Sequence, residues 1–181
     1  MRHTYLLLLF CTIAISALGQ NGAVKLNASN TDSYVDAGYN DDYLTEGSYT
    51  YQAWIYLEAA NTNGYIMATE DDQKGFSFRM STNDAVEFVH GIPGWHTINS
   101  GEVTVPLKTW THVAATYDGT DLVLLMNGDS VTSNQPAEPM ITSTQNLIIG
   151  EGATWKERRF TGIIDNVQIW SEARSETAIK E

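Results

Sequence analysis

The sequence predicts an all-β domain, a sandwich or a barrel, and three observations carry that reading. The first is Trp110 to Gly128, WTHVAATYDGTDLVLLMNG: two apolar, β-rich runs separated by Asp118-Gly119 and closed by Asn127-Gly128. Both dipeptides suit two-residue type I′ hairpins, because Gly and Asn accept positive φ at little cost. Three antiparallel strands therefore follow one another, the third starting at Asp129. The second observation is that almost every periodic segment repeats every two residues, as a strand does. The third is punctuation: turn residues recur about every 8–12 positions, with no linker and no internal repeat.

The chain opens with a segment outside that scheme. Arg2 and His3 precede an apolar run, Tyr5 to Leu18, and Ala17-Leu18-Gly19 supplies small residues at a cleavage spacing. Residues 1–20 thus read as a secretory signal peptide. The run is shorter than the ~20 residues of a membrane span, and no membrane insertion is expected after its removal. A single domain is expected over residues 21–181, about 160 residues, enough for one sizeable core. The lone Cys11 falls inside the signal, so no disulfide staples the exported chain.

Within the domain, Tyr49 to Leu57 (YTYQAWIYL) reads as a strand apolar on nearly both faces. Phe76, Phe78 and Met80 alternate with Ser77, Arg79 and Ser81, one face buried and one wet, and Val86 and Phe88 continue after a turn at Thr82-Asn83-Asp84. Leu147 to Ile149 is a short strand stopped by Gly150, and Ile163 to Trp170 is the last clear strand. Only Glu172 to Lys180 has the makings of a helical turn. In the last strand, a strict period of two puts Asp165 on one face with Ile163, Val167 and Ile169. A carboxylate buried there needs backbone amides, a basic partner or a cation.

Charge narrows the partners. Lys plus Arg is 10 and Asp plus Glu is 22, a net of −12; without Arg2 the count is 9 against 22, or −13. Nucleic acid and anionic membranes require basic patches, so neither is an expected partner. Three histidines remain after export, His90, His96 and His112, with no further ligand at zinc spacing. His112 reads as a packed strand residue. An Asn27-Ala28-Ser29 sequon is present.

Four segments, in order, resemble one family. VKLNASNTDSYVDAG resembles its opening strand pair, GSYTYQAWIYLE its second long strand, and WTHVAATYDGTDLVLLMNG its central hairpin. NLIIGEG followed by FTGIIDNVQIWSEARSETAI resembles its closing strands. The chain is similar to laminin-G-like, concanavalin A-like jelly-roll domains of bacterial secreted proteins, over about Gly22 to Ile179. The resemblance implies a two-sheet antiparallel jelly-roll sandwich that binds glycans or proteins. It also implies a structural calcium held by Asp165, a carbonyl at Gly47 and a first-strand carbonyl placed near Gly22, an oxygen-only set that suits the ion.

Glycosidases on this fold carry an E-x-D-x-x-E strand, whose alternate carboxylates face the same way. Glu70-Asp71-Asp72 supplies Glu-x-Asp, but Gly75 stands where the second Glu is required, and the segment reads as a solvated acidic turn. Catalysis is therefore not expected. Trp54, Trp110 and Trp170 lie in strands and read as core. Trp95 and Trp155 lie in polar loops, where an aromatic ring offers a flat face to a sugar. His96 and Arg158 accompany them; Arg158 and Arg159 either meet an acidic sugar or pair with Glu151 or Glu157. Tyr39, Tyr43 and Tyr65 are weaker candidates of the same kind. The expected protein is a secreted, non-catalytic binding module with a glycan as preferred ligand. A protein-binding adhesion module is the first alternative and a glycoside hydrolase the second. It is expected as a monomer or as one module of a larger protein.

Overall fold

The structure, a computed structural model, describes residues 22–44, 47–60, 63–132 and 135–180. The expected signal peptide lies outside the described residues. Thirteen strands are present among them: β1 (Val24–Leu26), β2 (Val35–Asp36), β3 (Tyr49–Leu57), β4 (Tyr65–Ala68), β5 (Phe76–Met80), β6 (Ala85–His90), β7 (His96–Thr104), β8 (Trp110–Tyr117), β9 (Asp121–Met126), β10 (Asp129–Ser130), β11 (Gln135–Pro136), β12 (Ile148–Ile149) and β13 (Gly162–Trp170). A short helix α1 (Glu176–Lys180) follows. One sheet has the order β1-β13-β3-β8-β9-β10, with β11 also on β9; the other runs β2-β12-β4-β5-β6-β7. Every strand pairing is antiparallel, and the two sheets form the sandwich.

The central hairpins differ in turn type. Met126 pairs with Asp129 across Asn127-Gly128, and both central residues have positive φ (52° and 81°), as a type I′ turn requires. At the other turn the Asp118 N–H donates to the Asp121 carbonyl, so the central pair is Gly119-Thr120, and only Gly119 has positive φ. That is the pattern of type II′. Asp118 is shifted one position outward and uses its carboxylate to accept from the N–H of Thr120 and Asp121, both at 2.8 Å.

The core between the sheets is aromatic. Tyr51 stacks on Phe76 with ring centroids 4.0 Å apart, and Phe88 and Tyr49 complete the cluster. Three buried hydroxyls find acceptors: Tyr51 donates to the Tyr43 carbonyl at 2.8 Å, Tyr117 to that of Ala137 at 3.0 Å and Tyr49 to His90 Nδ1 at 2.5 Å. His90 Nε2 faces the Glu138 carbonyl at 2.6 Å. A carbonyl only accepts, so the His90 proton sits on Nε2 and Nδ1 is the bare acceptor. Burial holds His90 down at about 4, so it is neutral at ordinary pH.

Three sequence expectations are corrected by packing. The outer face of β5 is not uniformly wet: Ser77 is buried, as are Tyr65 and Ala68 beside it in β4, while Arg79 is half-buried. Asp165 does not share an apolar face with Val167 and Ile169. A β-bulge between Asp165 and Gln168, with Asn166 at φ 48°, shifts the register, so Ile164, Val167 and Ile169 meet the core while Ile163 and Asp165 point outward. Trp54 and Trp110 are not core residues; they stand 38% and 40% exposed on the outer face of their sheet.

Candidate functional site

The loop from Gly150 to Phe160 joins β12 to β13 and is braced from beneath by Glu70. Glu70 follows β4 and is only 2% exposed, which overturns its reading as part of a solvated turn; Asp72 does remain exposed. Its Oε1 accepts from the N–H of Thr154 at 3.3 Å and of Trp155 at 3.5 Å, and Ala153 contributes a third amide. A Cβ at Gly152 would lie 2.7 Å from the Trp155 carbonyl oxygen and 2.8 Å from that carboxylate oxygen, so the loop's backbone has no room for a side chain there. Burial pushes the Glu70 carboxyl up while the loop amides pull it back, with a net rise. Glu70 Oε2 has no partner among the described residues.

The brace continues along the loop. Buried Glu151 pairs with Arg159 at 2.7 Å, and the Tyr65 N–H donates to the Arg158 carbonyl at 3.2 Å. What this anchored loop presents is Trp155, 55% exposed and the most exposed large apolar side chain among the described residues. The Arg158 guanidinium lies 4.6 Å from its ring centroid. No carboxylate pairs with Arg158 among the described residues, whereas Lys156 reaches toward Glu151 and over the Tyr34 ring. The result is an anchored aromatic ring with planar donors stacked over one of its faces.

The other sequence-derived candidates do not join it. Trp95 is half-buried, with φ 58° in the tight turn that ends β6, where its N–H meets the Ile92 carbonyl. His96 packs edge-on against His90, its Nε2 enclosed without a partner. Among the described residues no hydrogen bond or ring contact links Trp95 or His96 to Trp155. Tyr43 and Tyr65 are buried, while Tyr39 is exposed and its hydroxyl meets Asp41. His112 is 6% exposed, as expected of a packed residue.

The carried-over calcium ligands do not assemble. Asp165 pairs across from Trp54 in β3. Gly47 precedes the start of that strand at Tyr49, already roughly 17 Å away at ~3.3 Å per residue, so one ion cannot touch both. Gly22 lies two residues before Val24, which pairs with Ile164, so only this end of the set approaches Asp165. Asp165 Oδ1 accepts from the Asn166 N–H at 2.7 Å, a contact internal to the bulge. Among the described residues no group of three or more His, Cys, Asp or Glu is placed to hold a metal.

The family profile of the concanavalin A-like lectin/glucanases superfamily matches residues 28–180. The chain belongs to that superfamily. Solved structures share its fold. Domain 4 of the extracellular arabinanase AbnA from Geobacillus stearothermophilus, solved with arabinotriose, is 18% identical at a TM-score of 0.66, over 88% of this chain and 86% of that one. A protein of Bacteroides ovatus proposed to bind carbohydrate is 24% identical at a TM-score of 0.66, over 81% of this chain and 43% of that one. The binding domain of Paraclostridial Mosquitocidal Protein 1 is 15% identical at a TM-score of 0.68, over 88% and 42%. This chain spans less than half the length of the last two. No curated protein matches it. The Trp155 loop lies between β12 and β13, outside the two sheets. Its aromatic residue was visible in the sequence; the brace under it was not, because Glu70 lies some 85 positions earlier.

Proposed function

We propose that this protein is a secreted, non-catalytic carbohydrate-binding module, exported by way of residues 1–20, and that Trp155 and Arg158 contact the glycan. One observation carries the proposal: a tryptophan left 55% exposed on a loop that a buried carboxylate holds in place. The brace has already met the conformational-entropy cost of ordering the loop, so the ring it carries is preorganised for a ligand. The Arg158 guanidinium stacked over the ring, with no carboxylate partner among the described residues, supplies donors for sugar hydroxyls or a sugar carboxylate and leaves the opposite ring face for the sugar. The comparison structures supply context, since the arabinanase domain was solved with a trisaccharide. Glu70, the nearest residue to a catalytic carboxylate in the sequence, is engaged with backbone amides beneath the loop rather than opening on a cleft. Calcium is given no part in the binding, because its carried-over ligands lie apart. Affinity electrophoresis in soluble polysaccharide tests the proposal. Retardation of the wild type that weakens about tenfold in Trp155→Ala, ~1.4 kcal/mol, supports it, and equal retardation of both removes Trp155 from the site.

A further inference from the structure

The outer face of the β1-β13-β3-β8-β9-β10 sheet is treated in two different ways. Over one half, the chain after β13 folds back as a strap. Thr50 accepts from the Arg174 N–H at 2.9 Å and donates to the Glu172 carbonyl at 2.8 Å, and Ile179 of α1 seals Ala114 and Leu125. The apolar surface there is covered by the protein itself. The other half is left open. Trp54 and Tyr56 of β3 stand directly across from His112 and Trp110 of β8, with ring centroids 5.3 Å apart for Trp54–His112 and 5.6 Å for Tyr56–Trp110. Successive outward residues are ~6.6 Å apart along a strand, so four rings form one continuous ledge. Trp54 and Trp110 are the exposed members, at 38% and 40%.

The geometry points to this ledge as a second, separate binding platform, for an uncharged saccharide chain. Three features select that occupant. A tryptophan offers ~150–250 Å² of surface, so the two exposed rings, at 38% and 40%, present roughly 120–200 Å² between them. That is far below the ~800 Å² that each partner contributes to a standard protein interface, but it suits the apolar faces of a few sugar rings. The ledge is framed by polar groups able to take hydroxyls: Asp165 lies across from Trp54, and the Lys25–Glu58 ion pair, at 2.8 Å, lies beyond Tyr56 and Ile163. The frame holds two carboxylates; its one lysine is already engaged by Glu58, and Arg174, near His112, lies over the Trp170 ring, in a chain of net charge −12, which repels acidic polymers. The ledge also has support at its base. His112 is buried, its Nδ1 without a partner among the described residues, and burial, with Arg174 nearby, holds it down at about 4, so a neutral ring floors the platform.

The test is affinity electrophoresis of the whole protein against arabinan, xylan, mixed-linkage β-glucan and galactomannan, with polygalacturonate as the charged comparison. The double variant Trp54→Ala/Trp110→Ala and the milder Trp54→Phe/Trp110→Phe are run beside Trp155→Ala, with melting curves to show that each is folded. Retardation by a neutral polysaccharide that falls about tenfold in the Ala pair and less in the Phe pair supports the ledge. Unchanged retardation in the Ala pair, with loss in Trp155→Ala, overturns the ledge alone. Retardation only by polygalacturonate, or a change in self-association of the Ala pair on sedimentation, also overturns it. A wild type retarded by nothing overturns both the ledge and the Trp155 site.

Discussion

Removing the brace under the Trp155 loop is the sharpest perturbation of the site that leaves its ligand-facing groups untouched. In Glu70→Ala, the N–H groups of Thr154 and Trp155 lose their acceptor while the loop remains folded over them. An orphaned buried donor costs about 1–3 kcal/mol. The bonds are long, 3.3 and 3.5 Å, so each belongs at the low end, and deleting a carboxylate whose pKa burial has raised returns part of the cost. With the Ala153 amide orphaned as well, the expected loss is about 2 kcal/mol. Glu70→Gln keeps an acceptor oxygen at the same place and removes the buried charge, so it should fall within about 1 kcal/mol of wild type. Urea unfolding reads both, as a lower midpoint at constant slope. Amide hydrogen exchange localises the effect: in Glu70→Ala the amides of residues 154 and 155 should exchange faster than those of β3. A Glu70→Ala variant within about 0.5 kcal/mol of wild type, or one whose loop amides stay protected, would refute the idea that this carboxylate holds the loop.

Acid should destabilise the fold in a defined window. His90 and His112 titrate at about 4 when folded, against an ordinary 6.5, so the unfolded chain takes up their protons first as pH falls. Stability is unaffected by them above about pH 6.5 and falls between there and about pH 4. The slope approaches ~1.4 kcal/mol per pH unit per histidine, or about 3 kcal/mol each over the window. Glu70 acts in the opposite sense: its raised pKa means that its cost at neutral pH is relieved as acid protonates it. Urea midpoints at pH 7, 5.5 and 4.5 check the slope, and a flat response would contradict the neutral assignment of both rings. The strap makes its own prediction. Ile179→Ala should cost about 2 kcal/mol, the low end for a truncated buried isoleucine, because its pocket on Ala114 and Leu125 is shallow. A loss under about 0.5 kcal/mol would show that α1 does not cover that face.

Much of the fold was legible in the sequence because it is encoded locally. Asn127-Gly128 specifies its turn, the alternation from Phe76 to Met80 specifies its inward face, and Tyr49 to Leu57 is strand throughout. What was missed depends on contacts distant in sequence or on a single inserted residue. Asp165 faces outward, opposite to Val167 and Ile169, because a bulge shifts the register by one, and a strict period of two cannot contain a bulge. Trp54 and Trp110 were assigned to the core because strand tryptophans usually lie inside; whether an outer face is covered depends on how far the strap after β13 reaches. Of the site, Trp155 and Arg158 could be singled out as loop residues in an acidic chain, but their contact is a matter of geometry. Glu70 looked like surface because two neighbouring aspartates surround it with charge in the sequence, while in space it points beneath a loop 85 positions away.

The central claim is that this protein binds a glycan through exposed, rigidly held tryptophan faces. Isothermal titration of the folded protein with the panel of soluble polysaccharides, read together with tryptophan fluorescence, tests it most directly. The expected result is saturable binding to at least one polysaccharide with a fluorescence change that Trp155→Ala reduces. A folded protein that binds none of them, or one whose binding leaves its tryptophan emission unchanged, would contradict it.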